Sequence, residues 1–178
     1  MGRLLLSPLR KLVENPKRIF GSFVREGMTV LEPGCAMGFF TLPLARMVGP
    51  EGTVIAVDIQ TDMLAALERR ARKASLMNRL DIREAGSESM GISDLAGSAD
   101  FCTLIHVAHE VPDQNRLFGE ISHTLKPGGR LLVIEPDWHV TPEEFEISLT
   151  AAAAAGLRRI ESVNVQKGRK ALFERNEA

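Results

Sequence analysis

Glu32 and Asp58 are the two acids whose surroundings ask most clearly for a chemical role. Each ends an apolar run, Val30-Leu31-Glu32 and Val54-Ile55-Ala56-Val57-Asp58, and between them lies Pro33-Gly34-Cys35-Ala36-Met37-Gly38. An acid closing an apolar strand needs a partner, and a carboxylate there can accept both hydroxyls of a ribose. Glycines after a first strand let the backbone approach a ligand closely, while the amides of the following helix face it. The set suits a nucleoside-containing ligand. Spacing then narrows the choice. A dinucleotide turn needs Gly-x-Gly-x-x-Gly, and counting from Gly34 puts Ala36 and Phe39 at the second and third positions. There is no Gly-x-x-x-x-Gly-Lys-Ser/Thr phosphate loop, and a carboxylate at Glu32 would repel a pyrophosphate. Glu32 suits a ligand that carries an ammonium group.

These residues resemble the class I S-adenosylmethionine-dependent methyltransferases, particularly the small type 11 branch. That family's first motif is Asp/Glu-x-Gly-x-Gly-x-Gly, matched by Glu32 to Gly38 with alanine at the central position, Ala36. The likeness continues through Val54 to Asp58, Ala99 to His106, His109-Glu110-Val111-Pro112-Asp113 and Leu125 to Glu135, covering roughly residues 28 to 136 in one order. It implies a Rossmann-like α/β fold with a seven-stranded, mostly parallel sheet in the order 3-2-1-4-5-7-6, strand 7 antiparallel. It also implies S-adenosyl-L-methionine as cofactor and in-line methyl transfer to a small-molecule acceptor. Cofactor contacts carry over to Glu32, Gly34, Ala36, Gly38, Asp58, Ile59, Gly86, Ser87 and His106, with Asp58 on the ribose and Glu32 orienting the methionine end. At Gly86 the family's usual acid is missing, so an adenine contact there falls to Ser87.

In an open sheet the ligand lies beyond the carboxyl ends of the strands. His106, His109, Glu110, Asp137, Trp138 and His139 follow the fourth and fifth strands and are placed to line an acceptor pocket. The sulfonium is reactive, so holding the acceptor in line supplies most of the catalysis. Where an acceptor must lose a proton, His106, His109 or His139 is the candidate base, since histidine titrates near neutrality. The string His106-x-x-His109-Glu110 matches neither His-Glu-x-x-His nor His-x-x-Glu-His, and no metal is expected. Asp113 reads as a helix cap, and Trp138 either stacks on an acceptor or packs.

The elements that must hold these residues follow from periodicity. Strands are expected at 28–32, 53–58, 80–84, 99–105, 130–135, 157–165 and 170–175, alternating with helices at 39–48, 61–74, 113–124 and 141–155. Residues 1–27 read as short helices serving as a lid or as packing, and residues 1–178 as a single domain. A chain of 178 residues can bury roughly 70% of the surface its unfolded form exposes. Hydrophobic residues make up 44% and the net charge is -1, which gives no general attraction to nucleic acid or acidic membrane. The basic groups Arg3 to Arg25 and Arg69 to Lys73 read as solvated helix faces. Cys35 and Cys102 sit in strand-like sequence as small hydrophobes, consistent with a reducing, cytoplasmic setting. No stretch approaches membrane-spanning length.

Three other functions share parts of this pattern. A dinucleotide oxidoreductase conflicts with the glycine spacing, a non-catalytic S-adenosylmethionine-binding module would keep every motif, and an RNA methyltransferase would use the basic amino end. With no long insertion after the fifth strand to form a lid, either the acceptor is small or a second copy covers the site as a homodimer.

Overall fold

The computed structural model describes residues 14–160 and 168–177. Seven strands form one sheet: β1 Thr29–Pro33, β2 Thr53–Asp58, β3 Leu80–Glu84, β4 Ala99–Ile105, β5 Leu125–Glu135, β6 Leu157–Ile160 and β7 Arg169–Arg175. Five helices accompany them: α1 Pro16–Phe20, α2 Thr41–Met47, α3 Thr61–Lys73, α4 Gln114–Thr124 and α5 Pro142–Ala154. The order across the sheet is β3-β2-β1-β4-β5-β7-β6, and β7 runs antiparallel to both β5 and β6. The expected topology is the observed one.

Two helical layers explain the nearly continuous apolar strands. Val30, Val54, Phe101 and Leu132 belong to one core cluster, while Leu31, Ile55, Cys102 and Leu131 belong to the other. Successive side chains point to opposite faces of a strand, so a sheet covered on both faces must be apolar at every position. The first layer is made by α1, α2 and α3, whose Phe20, Leu44 and Leu67 are fully buried. The second is made by α4 and α5 through Phe118, Ile121, Leu149 and Ala152. The adjacent strands β1 and β4 lead on to helices in opposite layers, which opens a crevice at their carboxyl ends.

Several boundaries differ from the periodic reading for local reasons. Helix α2 begins at Thr41 rather than Phe39, because Gly38 at φ +79° cannot continue a right-handed turn. Phe40 is freed to meet Phe20 edge to face, with ring centroids 5.6 Å apart. Strand β5 starts at Leu125, five residues early. The register jumps from Ala99↔Leu125 to Phe101↔Arg130, so the Pro-Gly-Gly turn is absorbed as an irregularity inside the strand. Of the segment 1–27 read as short helices, residues 1–13 lie outside the described residues, and so does the end of the sixth strand, 161–165. The described part of the amino-terminal segment packs on the sheet, with Phe23 stacked on Phe101 at 5.6 Å.

Helix α5, which flanks the loop after β5, is started by a reciprocal cap. Thr141 accepts a hydrogen bond from the Glu144 amide at 3.2 Å, and Glu144 accepts one from the Thr141 amide at 2.8 Å. Gly156 at φ +79° ends it. Thr141→Ala is expected to cost about 1 kcal/mol, read as a lower denaturant midpoint with an unchanged slope.

Candidate functional site

The site is a glycine turn held from three directions. Its Cys35 amide donates to the Val57 carbonyl at 3.0 Å and its Ala36 amide to Asp58 Oδ2 at 2.8 Å. The Arg70 guanidinium, from α3, donates to the Met37 carbonyl. Asp58 Oδ1 meanwhile accepts from the Gln60 amide at 2.9 Å. The partner that an acid closing an apolar strand needs is, for Asp58, supplied by backbone amides. Each carboxylate oxygen carries two lone pairs, so each oxygen can accept one further hydrogen bond. Arg70 corrects the reading of its cluster as a plain solvated face. Sequence spacing could not show that this one guanidinium reaches back 33 residues to the turn.

Gly34, Ala36 and Gly38 all have positive φ, at 69°, 46° and 79°. The structure gives the glycines a packing role. A Cβ on Gly34 would lie 2.4 Å from Val107, in the loop after β4, and one on Gly38 would lie 2.4 Å from Leu67 of α3. Ala36 carries its methyl in a left-handed conformation that costs an L residue roughly 1–2 kcal/mol.

Glu32 is only 4% exposed, and its Oε2 has no hydrogen-bond partner among the described residues. It shares a face of the sheet with Val30. The hydroxyls of Thr41 and Thr103, both buried and likewise without partners among the described residues, lie on that side as well. Burial pushes the Glu32 carboxyl up to about 8, with the Thr41 hydroxyl opposing and the Asp58 charge adding to the rise. Burial, with Glu32 and Asp58 nearby, also pushes the Cys35 thiol up. Both cysteines are free and buried, and neither is a nucleophile in this state.

On the adenine side of the expected ligand, Ile59 is 59% exposed beside Asp58. Ser87 and Glu88 are held by Arg116 of α4, which reaches Glu88 Oε2 at 2.7 Å and the Ser87 carbonyl at 3.2 Å, while the Gly86 amide donates to the Ser89 carbonyl at 2.8 Å. Arg116 carried no sequence signal for this.

The loops after β4 and β5 meet at the crevice. His106 adopts φ 59°, donates its amide to the Ile134 carbonyl at 2.8 Å and lies 3.7 Å from Glu14 of the amino-terminal segment. His109 Nδ1 is 2.5 Å from Glu135 Oε2, and the His139 ring meets the His109 ring edge-on at 5.1 Å. Trp138 is 84% exposed at the rim. Asp113 accepts from the Arg116 amide at 3.0 Å, the cap expected of it. Glu135 was the residue overlooked. It ends an apolar strand, the same signal that singled out Glu32 and Asp58. An open groove of about 670 Å³ between α4 and α5, lined by Pro112, Asp113, Glu143 and Ile147 among others, includes none of the cofactor candidates. Among the described residues no group of three histidines, cysteines or acids is arranged to hold a metal ion, and no helix is long and apolar enough to cross a membrane.

A strand order of 3-2-1-4-5-7-6, an acid at the end of β1 and another at the end of β2 clamped to a glycine turn define a class I methyltransferase fold. Residues 24–174 match the family described as Methyltransferase domain, and the chain belongs to it. A solved S-adenosylmethionine-dependent methyltransferase from Aquifex aeolicus is 26% identical, covers 97% of this chain and 95% of its own, and superposes with a TM-score of 0.83. The ubiquinone/menaquinone biosynthesis C-methyltransferase UbiE of Pasteurella multocida is 32% identical over 64% of this chain and 42% of its own length. The demethylmenaquinone methyltransferase of Lactobacillus johnsonii is 29% identical over 67% of this chain and 48% of its own. The chain thus spans about half the length of these curated relatives.

Two measurements check this geometry without any substrate. Ala36→Gly should raise stability by roughly 0.5–1 kcal/mol, the relief of left-handed strain less the entropy glycine adds to the unfolded chain. The second concerns Glu32, whose folded carboxyl titrates near 8 against an ordinary value of 4.5. The folded chain binds the extra proton, so ionisation costs stability as pH climbs through that window. Glu32→Gln should stabilise the ligand-free protein by an amount that grows from pH 4.5 to 8 and then levels off. Thermal denaturation of both proteins across that range would show it.

Proposed function

We propose that this chain is an S-adenosylmethionine-dependent methyltransferase acting on a small-molecule acceptor. One observation carries the reading: a buried carboxylate oxygen of Glu32 lacking a partner among the described residues, directly beside a glycine turn whose amide is held by Asp58. An orphaned buried acid is costly, and a cationic ligand or a bridging water recovers that cost. The methionine end of the cofactor brings such a cation, so the residues present fit the group. Glu32 would hold that ammonium, directly or through water. Asp58 would accept the ribose hydroxyls, Gly34, Ala36 and Gly38 would bring backbone close, Ile59 would cover the adenine, and Gly86 and Ser87 would border its edge. The backbone around His106 would close the pocket from β4.

When bound, the cofactor supplies an electrophilic methyl on a sulfonium. The chain's task is then to orient the acceptor and exclude water, a task for the loops bearing His106, His109, Trp138 and His139. The relatives named for quinone biosynthesis support a small, largely apolar acceptor, as does the exposed Trp138. A net charge of -1 argues against RNA as substrate. Closure of the crevice by a second copy of the chain is compatible with the exposed rim, and the buried free thiols fit a reducing cytoplasmic compartment.

Calorimetry of S-adenosylhomocysteine binding at pH 7, in buffers of differing ionisation enthalpy, separates this reading from its rivals. Binding should release about one proton per site as Glu32 ionises against the ammonium, and NADH should not bind. Tight NADH binding would replace the assignment with an oxidoreductase. Cofactor binding without labelled-methyl transfer to any metabolite of a broad panel would favour a non-catalytic sensor.

A further inference from the structure

Glu135 closes β5 with no exposed surface, yet both of its oxygens are engaged. Oε1 accepts from the Ala108 amide at 2.8 Å, and Oε2 lies 2.5 Å from His109 Nδ1. With Glu135 ionised, its carboxylate has no proton to give, Nδ1 donates, and a neutral ring then keeps its lone pair on Nε2. Because Nδ1 points at a buried acid, Nε2, on the opposite edge of the ring, points away from Glu135. It is 4.0 Å from Glu110 Oε1. The His109 side chain keeps 17% of its surface exposed. A tie between the β4 loop and β5 would need only the Ala108 amide. It would not need a second bond that fixes a ring's tautomer and leaves the ring's other nitrogen facing away from the acid.

We propose that Glu135 and His109 form a carboxylate–imidazole pair in which His109 Nε2 removes the proton of a phenolic or enolic hydroxyl on the acceptor, Glu135 being the positioning residue. This rests on the methyltransferase reading and names the acceptor class for it. Methylation of a neutral hydroxyl by a sulfonium yields a methylated product, a thioether and one proton. That proton goes to Nε2 as the acceptor's lone pair is freed. The imidazolium is stabilised against Glu135 and then loses the proton to water. An imidazole is matched to hydroxyls of phenol-like acidity far better than to aliphatic alcohols. The exposed Trp138 beside His139 offers an aromatic acceptor a face to stack on.

The charged groups facing His109 come from each neighbouring element. Glu135 comes from β5, Glu110 from the histidine's own turn, His139 from the loop after β5, and Glu144 from α5. The Glu144 carboxyl is held below its ordinary value by the Thr141 amide and hydroxyl first and by His139 and His109 last. Glu135 is pushed up by burial and pulled back by its bonds to His109 and the neighbouring amides.

Nitrogen-15 NMR of histidine-labelled, cofactor-free protein tests the pair without any turnover. His109 should show the Nδ1–H tautomer with a low-field hydrogen-bonded proton that disappears in Glu135→Gln. An Nε2–H tautomer in the wild-type protein overturns the proposal. With S-adenosylhomocysteine bound, hydroquinone should shift the Nε2 resonance; no shift overturns the acceptor class. In turnover with hydroquinone, His109→Gln should lower kcat by about a hundredfold or more with acceptor KM nearly unchanged. Transfer to 4-nitrophenol, already ionised at pH 8.5, should fall only about threefold or less, because no proton remains to be removed. Equal losses on both acceptors would make His109 merely structural. Glu135→Asp, which keeps the charge, should recover part of what Glu135→Gln loses. Failure of S-adenosylhomocysteine to bind would sink the methyltransferase reading itself, whereas intact binding with the wrong tautomer sinks only this pair.

Discussion

One carboxylate joins the glycine turn after β1 to the start of α3. Asp58 at the end of β2 receives the Ala36 amide on one oxygen and the Gln60 amide on the other. The first bond fixes the turn between β1 and α2, and the second fixes the start of α3. A bond from an amide to an ionised carboxylate is stronger than a neutral one, and here it is largely shielded, since Asp58 is 8% exposed. With the turn anchored, Gly34 can press against Val107 and Gly38 against Leu67, which links the turn to both the β4 loop and α3. Arg70 completes the clasp from the far side. Pre-organisation of this kind leaves little backbone ordering for the ligand to bring about.

Three acids at carboxyl ends of strands meet three different fates. Asp58 is satisfied by backbone, Glu135 by one amide and one imidazole, while a Glu32 oxygen is left without a partner among the described residues. Burial raises the carboxyls of Glu32 and Glu135; what differs is compensation. Glu135 has an imidazole that can hold positive charge against it. Glu32 has hydroxyls nearby and another carboxylate, and is driven up to about 8. The molecule therefore keeps one acid for internal positioning and one with a valence that a cationic ligand can complete.

The end of the sheet at β4 and β5 is built differently. It rests on two loops rather than one clamped turn, tied to β5 by the Ala108 amide, the His109 ring and the His106 amide among others. Loops on a rigid sheet are where substrate preference varies within a shared fold. The exposed Trp138 and the paired rings of His109 and His139 give this chain its own rim.

The strands, the glycine turn and the acids at Glu32 and Asp58 were legible in the sequence because each rests on local pattern, whereas the strand order came from the resemblance to the methyltransferase family. Apolar runs buried on both faces, glycines at positions needing positive φ, and caps such as Asp113 and Thr141 act over a few residues. Strand boundaries at the Pro-Gly-Gly turn were not legible, because only pairing with β4 shows that the irregularity lies inside a strand. Nor were the roles of Arg70, Arg116 and Glu135. Their contacts span 33, 28 and 26 residues, distances over which sequence spacing carries no direction. The sequence determined which groups stand at the ends of which strands. Only tertiary structure decided which of those groups are already satisfied by the protein, because hydrogen-bond satisfaction depends on who arrives from the neighbouring element.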